Sequence, residues 1–109
     1  LWVIDQNKEL KVVKADKQPI SKFHNETPFT THDVDLIPGD RVYLFSDGFQ
    51  DQFGGELGKK FKSGSLKKLI LSIQDRPITD HRNMLHDSLK EWQGSYEQVD
   101  DICIVGIQF

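Results

Sequence analysis

Aspartates stand where two apolar runs break off, and they are the residues of this chain best placed to do chemistry. Asp47 follows Arg41-Val42-Tyr43-Leu44-Phe45-Ser46 and precedes Gly48, while Asp100 and Asp101 lead into Ile102-Cys103-Ile104-Val105-Gly106-Ile107. Both runs read as strands, so a fold that sets them side by side gathers the acids at one end. Two carboxylates about 4 Å apart repel by roughly 4 kcal/mol at an effective dielectric near 20, and such a gathering is normally balanced by a cation. Donors that are all oxygen select Mg²⁺ or Mn²⁺ over Zn²⁺. On composition alone a plainer reading stands beside this one: Asp47 opens a turn before Gly48, and Asp100 and Asp101 are a solvated edge.

Other reactive residues point to less. His81 and His86 are roughly 140° apart around a helix, too far to share a ligand face as i, i+4 histidines do, and they read as surface residues. Ser46 lacks the G-x-S-x-G elbow of a nucleophilic serine. Cys103 alternates inside an apolar strand and reads as an inert core thiol. Lys59, Lys60, Lys62, Lys67 and Lys68 read as a solvated face, or else as an attraction for a phosphorylated partner.

The elements that must position the acids follow from periodicity and punctuation. Leu1–Asp5 and Leu10–Lys14 are β-prone runs joined by Gln6-Asn7-Lys8-Glu9, which predicts a hairpin. From Ala15 to Thr31 the pattern fades among Pro19, Pro28 and Asn25, as suits a surface connection. Val34 and Leu36 alternate with Asp33 and Asp35, predicting a half-buried strand. Ile37-Pro38-Gly39-Asp40 has the type II turn arrangement, with Pro at the second position and Gly at the third. The run from Arg41 is apolar on nearly every residue, predicting a strand covered on both faces. Phe53 to Gly64, rich in glycine and lysine, reads as a mobile loop. Ser65 then caps a helix whose Leu66, Leu69, Ile70 and Ile73 share one face. Pro77 ends it, Thr79 caps a second helix with Asp80 near its positive end, Leu85, Leu89 and Trp92 form the buried stripe, and Gly94 terminates it. The final run, from Ile102, reads as a central strand. Strands, two helices and a closing strand predict an α+β sandwich with helices outside a sheet.

Composition sets the outer limits. A chain of 109 residues that is 37% apolar is one globular domain in size and not a disordered segment. Lys and Arg number 14 against 17 acids, a net charge of −3 that argues against a general electrostatic grip on nucleic acid or on an anionic membrane. No apolar run reaches spanning length, and no signal-peptide pattern opens the chain. The single Cys103 can form no internal disulfide, which fits a reducing, cytoplasmic setting.

The stretch Leu36–Asp51, and within it Pro38-Gly39-Asp40 and Ser46-Asp47-Gly48-Phe49-Gln50-Asp51, resembles the pGD-xxx-ySDG-xxD segment of the metal-dependent protein serine/threonine phosphatases, the protein phosphatase 2C superfamily. The detail is closest to the bacterial stage II sporulation protein E (SpoIIE) class. Phe53-Gly54-Gly55, the helix from Leu66, Trp92-Gln93-Gly94 and Gln98–Gly106 continue the match in order over almost the whole chain. The resemblance implies part of an αββα sandwich, with antiparallel sheets and helices packed outside. It implies two Mn²⁺ or Mg²⁺ ions at one edge and direct attack of water on a phosphoserine or phosphothreonine. Asp47 and Asp100 match metal ligands, Asp101 the usual second acid that supports them, and Asp51 the place of a third, weaker metal in some members; Gly48 permits the backbone bend.

One part of the family pattern has no counterpart: nothing in the chain matches the D-x-x-G-H-G segment whose Asp bridges both metals. The expectation is therefore that residues 1–109 are the C-terminal portion of one phosphatase domain, without its N-terminal half, and inactive alone. Such domains act as outputs of bacterial sensor proteins, in some cases with a membrane sensor upstream, and often dephosphorylate small anti-sigma-factor antagonists. No nucleic acid and no direct membrane contact are expected, and the open strands favour self-association of the fragment. The competing class is a non-catalytic binding or assembly module that keeps the fold without turnover.

Overall fold

The computed structural model describes residues 1–14, 28 and 31–109. The connection expected over Ala15 to Thr31 thus lies, apart from Pro28 and Thr31, outside the described residues. Strands β1 (Trp2–Ile4) and β2 (Leu10–Val12) form the expected hairpin. Asp5 organises its turn, its Oδ1 accepting from the amides of Asn7 (2.8 Å) and Glu9 (3.0 Å), as an Asx residue at a chain reversal does. The Pro38-Gly39 turn also forms as expected. Gly39 sits at φ +97°, where only glycine is at ease, and the Asp40 amide closes the turn on the Ile37 carbonyl at 3.1 Å.

Strands β3 (Arg41–Phe45) and β6 (Ile104–Gln108) complete one antiparallel sheet in the order β2-β1-β3-β6, with Tyr43 opposite Gly106 and Phe45 opposite Ile104. Between β3 and β6 the chain runs through α1 (Gly48–Asp51), the short pair β4 (Phe53–Gly54) and β5 (Lys59–Lys60), then α2 (Ser63–Ser72) and α3 (Ile78–Gln93). Alternation sends Trp2, Ile4 and Tyr43 to one face of the sheet, where they pack with Phe49, Leu66, Ile70, Ile73, Leu85 and Leu89 into one core. The i, i+3, i+4 stripes of both helices are therefore spent on this face, and the architecture is the α+β arrangement expected.

Several expectations are corrected. Val34 and Leu36 form no strand; alternation describes what a strand would look like, but neither has a ladder partner among the described residues. Leu44 is 43% exposed, and β6, expected to be central, is the edge of the described sheet with Val105 and Ile107 exposed on its outer face. Cys103, expected to be buried, is exposed. The segment 53–60 contains the β4–β5 pair rather than only loop. Helix α2 starts at Ser63, ahead of Ser65, because the Lys62 amide is held by the Gln50 carbonyl at 2.7 Å and the chain turns there at φ +75°. Helix α3 starts at Ile78, with Pro77 and not Thr79 as the cap residue, because the Pro77 carbonyl already accepts from the Asp80 amide at 3.0 Å.

His81 is the largest departure: it is 3% exposed and forms part of a polar network under the sheet. Its Nε2 lies 3.2 Å from the Arg76 carbonyl and 3.4 Å from Arg41 Nη1, and its Nδ1 lies 2.8 Å from the Tyr43 hydroxyl. The Tyr43 oxygen in turn accepts from Gln74 Nε2 at 2.9 Å, and Arg41 donates to the Gln74 carbonyl at 3.0 Å. Burial first, and then the nearby Arg41 guanidinium, holds the His81 imidazole below its ordinary pKa, while burial pushes the Tyr43 hydroxyl up. Because the unfolded histidine titrates near 6.5 and the folded one lower, His81 contributes stability that is complete above about pH 6.5 and is lost as pH falls below it. Wild type is accordingly expected to lose stability more steeply than His81→Gln between about pH 7 and pH 5, as read from urea midpoints across that range.

Candidate functional site

The acids are brought together by the way β3 ends and β6 begins. Ladder pairing stops at Phe45 and Ile104, yet the two chains stay joined. The Ser46 amide donates to the Cys103 carbonyl at 3.0 Å, its Oγ donates to the Asp101 carbonyl at 2.9 Å, and the same Oγ accepts from the Cys103 amide at 3.0 Å. One hydroxyl therefore uses both its donor and an acceptor site to fasten the stretch before β6. Asp47 follows Ser46 directly and Asp100 precedes Asp101, so both expected ligands stand at the same end of the same strand pair.

The acids differ in their surroundings. Asp47, Asp100 and Asp101 are exposed. Asp47 Oδ1 accepts from Gln50 Nε2 at 3.2 Å, and the Asp47 carbonyl takes the Asp51 amide at 2.9 Å, making Asp47 the residue from which α1 departs. Asp100 Oδ1 accepts from the Asp101 amide at 2.7 Å, and its carbonyl accepts from Gln98 Nε2 at 2.9 Å. Asp51 is half-buried and lies 3.8 Å from Lys60 Nζ, so it already has a cation beside it. No ion pair to Asp47, Asp100 or Asp101 occurs among the described residues.

Gly48 has a different role from the one its motif suggests. Its φ is not positive; glycine is required because the Asp101 backbone passes against it. A Cβ there would lie 2.7 Å from the Asp101 carbonyl carbon and 2.8 Å from Ile102 Cγ1. Gly54 similarly leaves room for the Trp92 backbone. Trp92, at the end of α3, donates its indole Nε1–H to the Gln52 carbonyl at 2.9 Å and stacks edge-on with Phe61 at 5.4 Å between centroids. The glycines of 53–58 thus belong to a hairpin pressed on Trp92.

The donor set fits Mg²⁺ or Mn²⁺ in kind, being unpaired carboxylate oxygens at one edge. In number it furnishes only one side of a site: among the described residues no three His, Cys, Asp or Glu side chains gather closely enough to hold a metal ion. A separate cavity of about 380 Å³ lies between α3 and β6, floored by Phe49, Leu85, Leu89 and Ile104, and none of the acids lines it. Sequence reasoning missed Ser46 and Gln52 as positioning groups, because their value lies in contacts some 45 to 57 residues away along the chain. The signal open to it was a serine and a glutamine flanking the motif aspartate.

An antiparallel sheet carrying helices on one face is similar to the fold of a protein phosphatase 2C domain. The solved SiaA-PP2C domain of Pseudomonas aeruginosa superposes with a TM-score of 0.85 at 29% sequence identity, over 99% of this chain and 42% of that one. The profile of the Stage II sporulation protein E (SpoIIE) family matches residues 1–109, and the chain belongs to that family. No curated protein matches the sequence. No helix among the described residues is long and apolar enough to cross a membrane.

The contact at Gly48 carries a stability prediction. Gly48→Ala is expected to cost about 1–3 kcal/mol, the usual range for overpacking, because the intruded atoms are backbone. Gly64→Ala, in α2 with nothing within 4 Å of the added carbon, is expected to be neutral or to stabilise by up to about 1 kcal/mol. Thermal unfolding of both variants beside wild type checks the pair.

Proposed function

We propose that this chain supplies one side of the active site of a metal-dependent phosphoserine/phosphothreonine protein phosphatase, with Asp47 and Asp100 as ligands to Mn²⁺ or Mg²⁺. The observation that carries the reading is the Ser46 hydroxyl, bonded to both Asp101 and Cys103, which seats the two acid-bearing strand ends together. Asp101 supports the site through its main-chain carbonyl, and Gly48 makes room for that carbonyl. Asp51, shared with Lys60, is placed for a weaker outer ion. Two such ions in the complete domain would lower the pKa of bound water toward about 7 and draw charge from the phosphate oxygens.

The chain's own residues account for the remainder of the proposal. The Asp47 and Asp100 side chains stand at an exposed edge, where carboxylates attract a hard cation and repel a bare phosphate, so substrate binding is coupled to metal binding. Ser46 and Gly48 keep the carboxylates on a rigid strand end, and a ligand so held needs no rearrangement when the ion arrives. The substrate is a phosphorylated protein in bacterial cytoplasmic signalling, with an anti-sigma-factor antagonist as the foremost candidate. Residues 1–109 are, on this reading, the C-terminal portion of the catalytic domain: the chain alone turns nothing over, and its exposed Leu44, Val105 and Ile107 favour pairing with a second copy.

The test is made in the full-length gene product. Asp47→Asn and Asp100→Asn remove a charge at nearly constant volume, so each is expected to weaken Mn²⁺ binding and collapse turnover of a phosphopeptide while folding survives. Asp51→Asn is expected to raise the Mn²⁺ concentration needed more than it lowers the saturated rate. Asp33→Asn, an exposed acid that matches no part of the motif, is expected to behave as wild type. Full activity of Asp47→Asn and Asp100→Asn at limiting Mn²⁺ would leave the binding or assembly module as the function.

A further inference from the structure

Gln52 is a fully buried polar residue (0% exposed) that the proposed site does not use. Its side-chain Nε2 donates to the Glu97 carbonyl at 2.9 Å and to the Phe53 carbonyl at 3.0 Å. Two carbonyl acceptors fix the orientation of the amide, since the reverse orientation would set oxygen against oxygen. Its main-chain carbonyl accepts from Trp92 Nε1 at 2.9 Å and from the Phe61 amide at 3.0 Å. Gln52 therefore joins the end of α1, the β4–β5 pair, the last turn of α3 and the stretch leading to β6.

Packing alone does not require an amide here. Gln52 Oε1 is buried with no partner among the described residues, a cost that a methionine of the same length would not incur. What the amide adds is a second anchor on the segment carrying Asp100. Residues 94–103 have no regular ladder and are held from the Asp47 side at 101 and 103 by Ser46, and at 97 by Gln52. Ser46 and Gln52 flank Asp47 in sequence, and their anchors flank Asp100. One anchor leaves the segment free to pivot, whereas two fix its direction.

We propose that Gln52 is a positioning residue that sets the distance between Asp47 and Asp100 by fastening Glu97 to the end of α1. The proposal rests on the metal-site reading above. Gln52→Glu keeps shape and length but faces both carbonyls with a carboxylate, and Gln52→Met keeps length without a donor. In the full-length gene product without metal, hydrogen exchange over 95–101 should speed up in both variants while α2 and β3 keep their protection. By calorimetry, Mn²⁺ affinity should fall about tenfold, the low end of the loss seen when groups that orient metal ligands are removed. If Gln52→Glu fails to fold, Gln52→Met carries the same two measurements. Unchanged exchange at 95–101 would overturn the proposal, as would faster exchange with unchanged Mn²⁺ affinity. Wild type that binds no Mn²⁺ would overturn the metal reading itself and this proposal with it, and that failure shows before any variant is compared.

Discussion

The Ser46 hydroxyl is the contact on which the arrangement of acids depends. Sheet pairing between β3 and β6 runs only as far as Phe45 and Ile104, and beyond a last ladder pair strand ends separate unless something holds them. Ser46 extends the pairing by one backbone bond and adds two through its side chain. The close approach that results has a second consequence, because the Asp101 carbonyl then occupies the space of a side chain at position 48. The S-D-G sequence is thus a physical unit: the serine draws the chains together, the glycine allows it, and the aspartate between them is presented at the edge.

The opposite end of β3 is held by a different kind of contact. Arg41 and Tyr43 reach under the sheet to Gln74 and His81, so the polar groups that enter the core there arrive with partners. Buried polar networks of this sort stabilise only when donors and acceptors match. Strand β3 is therefore tied to α3 at its start and to the approach of β6 at its finish, with the apolar core between the two. A strand fixed at both ends is a suitable support for a charged residue that must stand at a set position.

The two faces of the sheet contrast. Helices α2 and α3 cover one face with Leu66, Ile70, Leu85 and Leu89, while Leu44, Val105 and Ile107 leave the other partly open. The chain spans 42% of the solved SiaA-PP2C chain that it resembles, and among the described residues no three His, Cys, Asp or Glu side chains gather closely enough to hold a metal ion.

The sequence by itself determined the features that depend on near neighbours. The turn at Pro38-Gly39, the hairpin at Asp5, the apolar stripes of α2 and α3 and the stop at Gly94 were legible because a residue's own torsions and its i+3 or i+4 neighbours decide them. The strand-end aspartates and the family were legible for a related reason, since motif residues are consecutive. Tertiary structure decided what depends on cover. His81 lies on a helix face that any helix could leave to solvent, and it is buried only because Tyr43 and Arg76 meet it. Cys103 lies in a run as apolar as a central strand, yet it stands just ahead of β6 and is exposed. Ser46, Gly48 and Gln52 matter through distant backbone that passes against them, and a sequence carries no record of which distant backbone that will be.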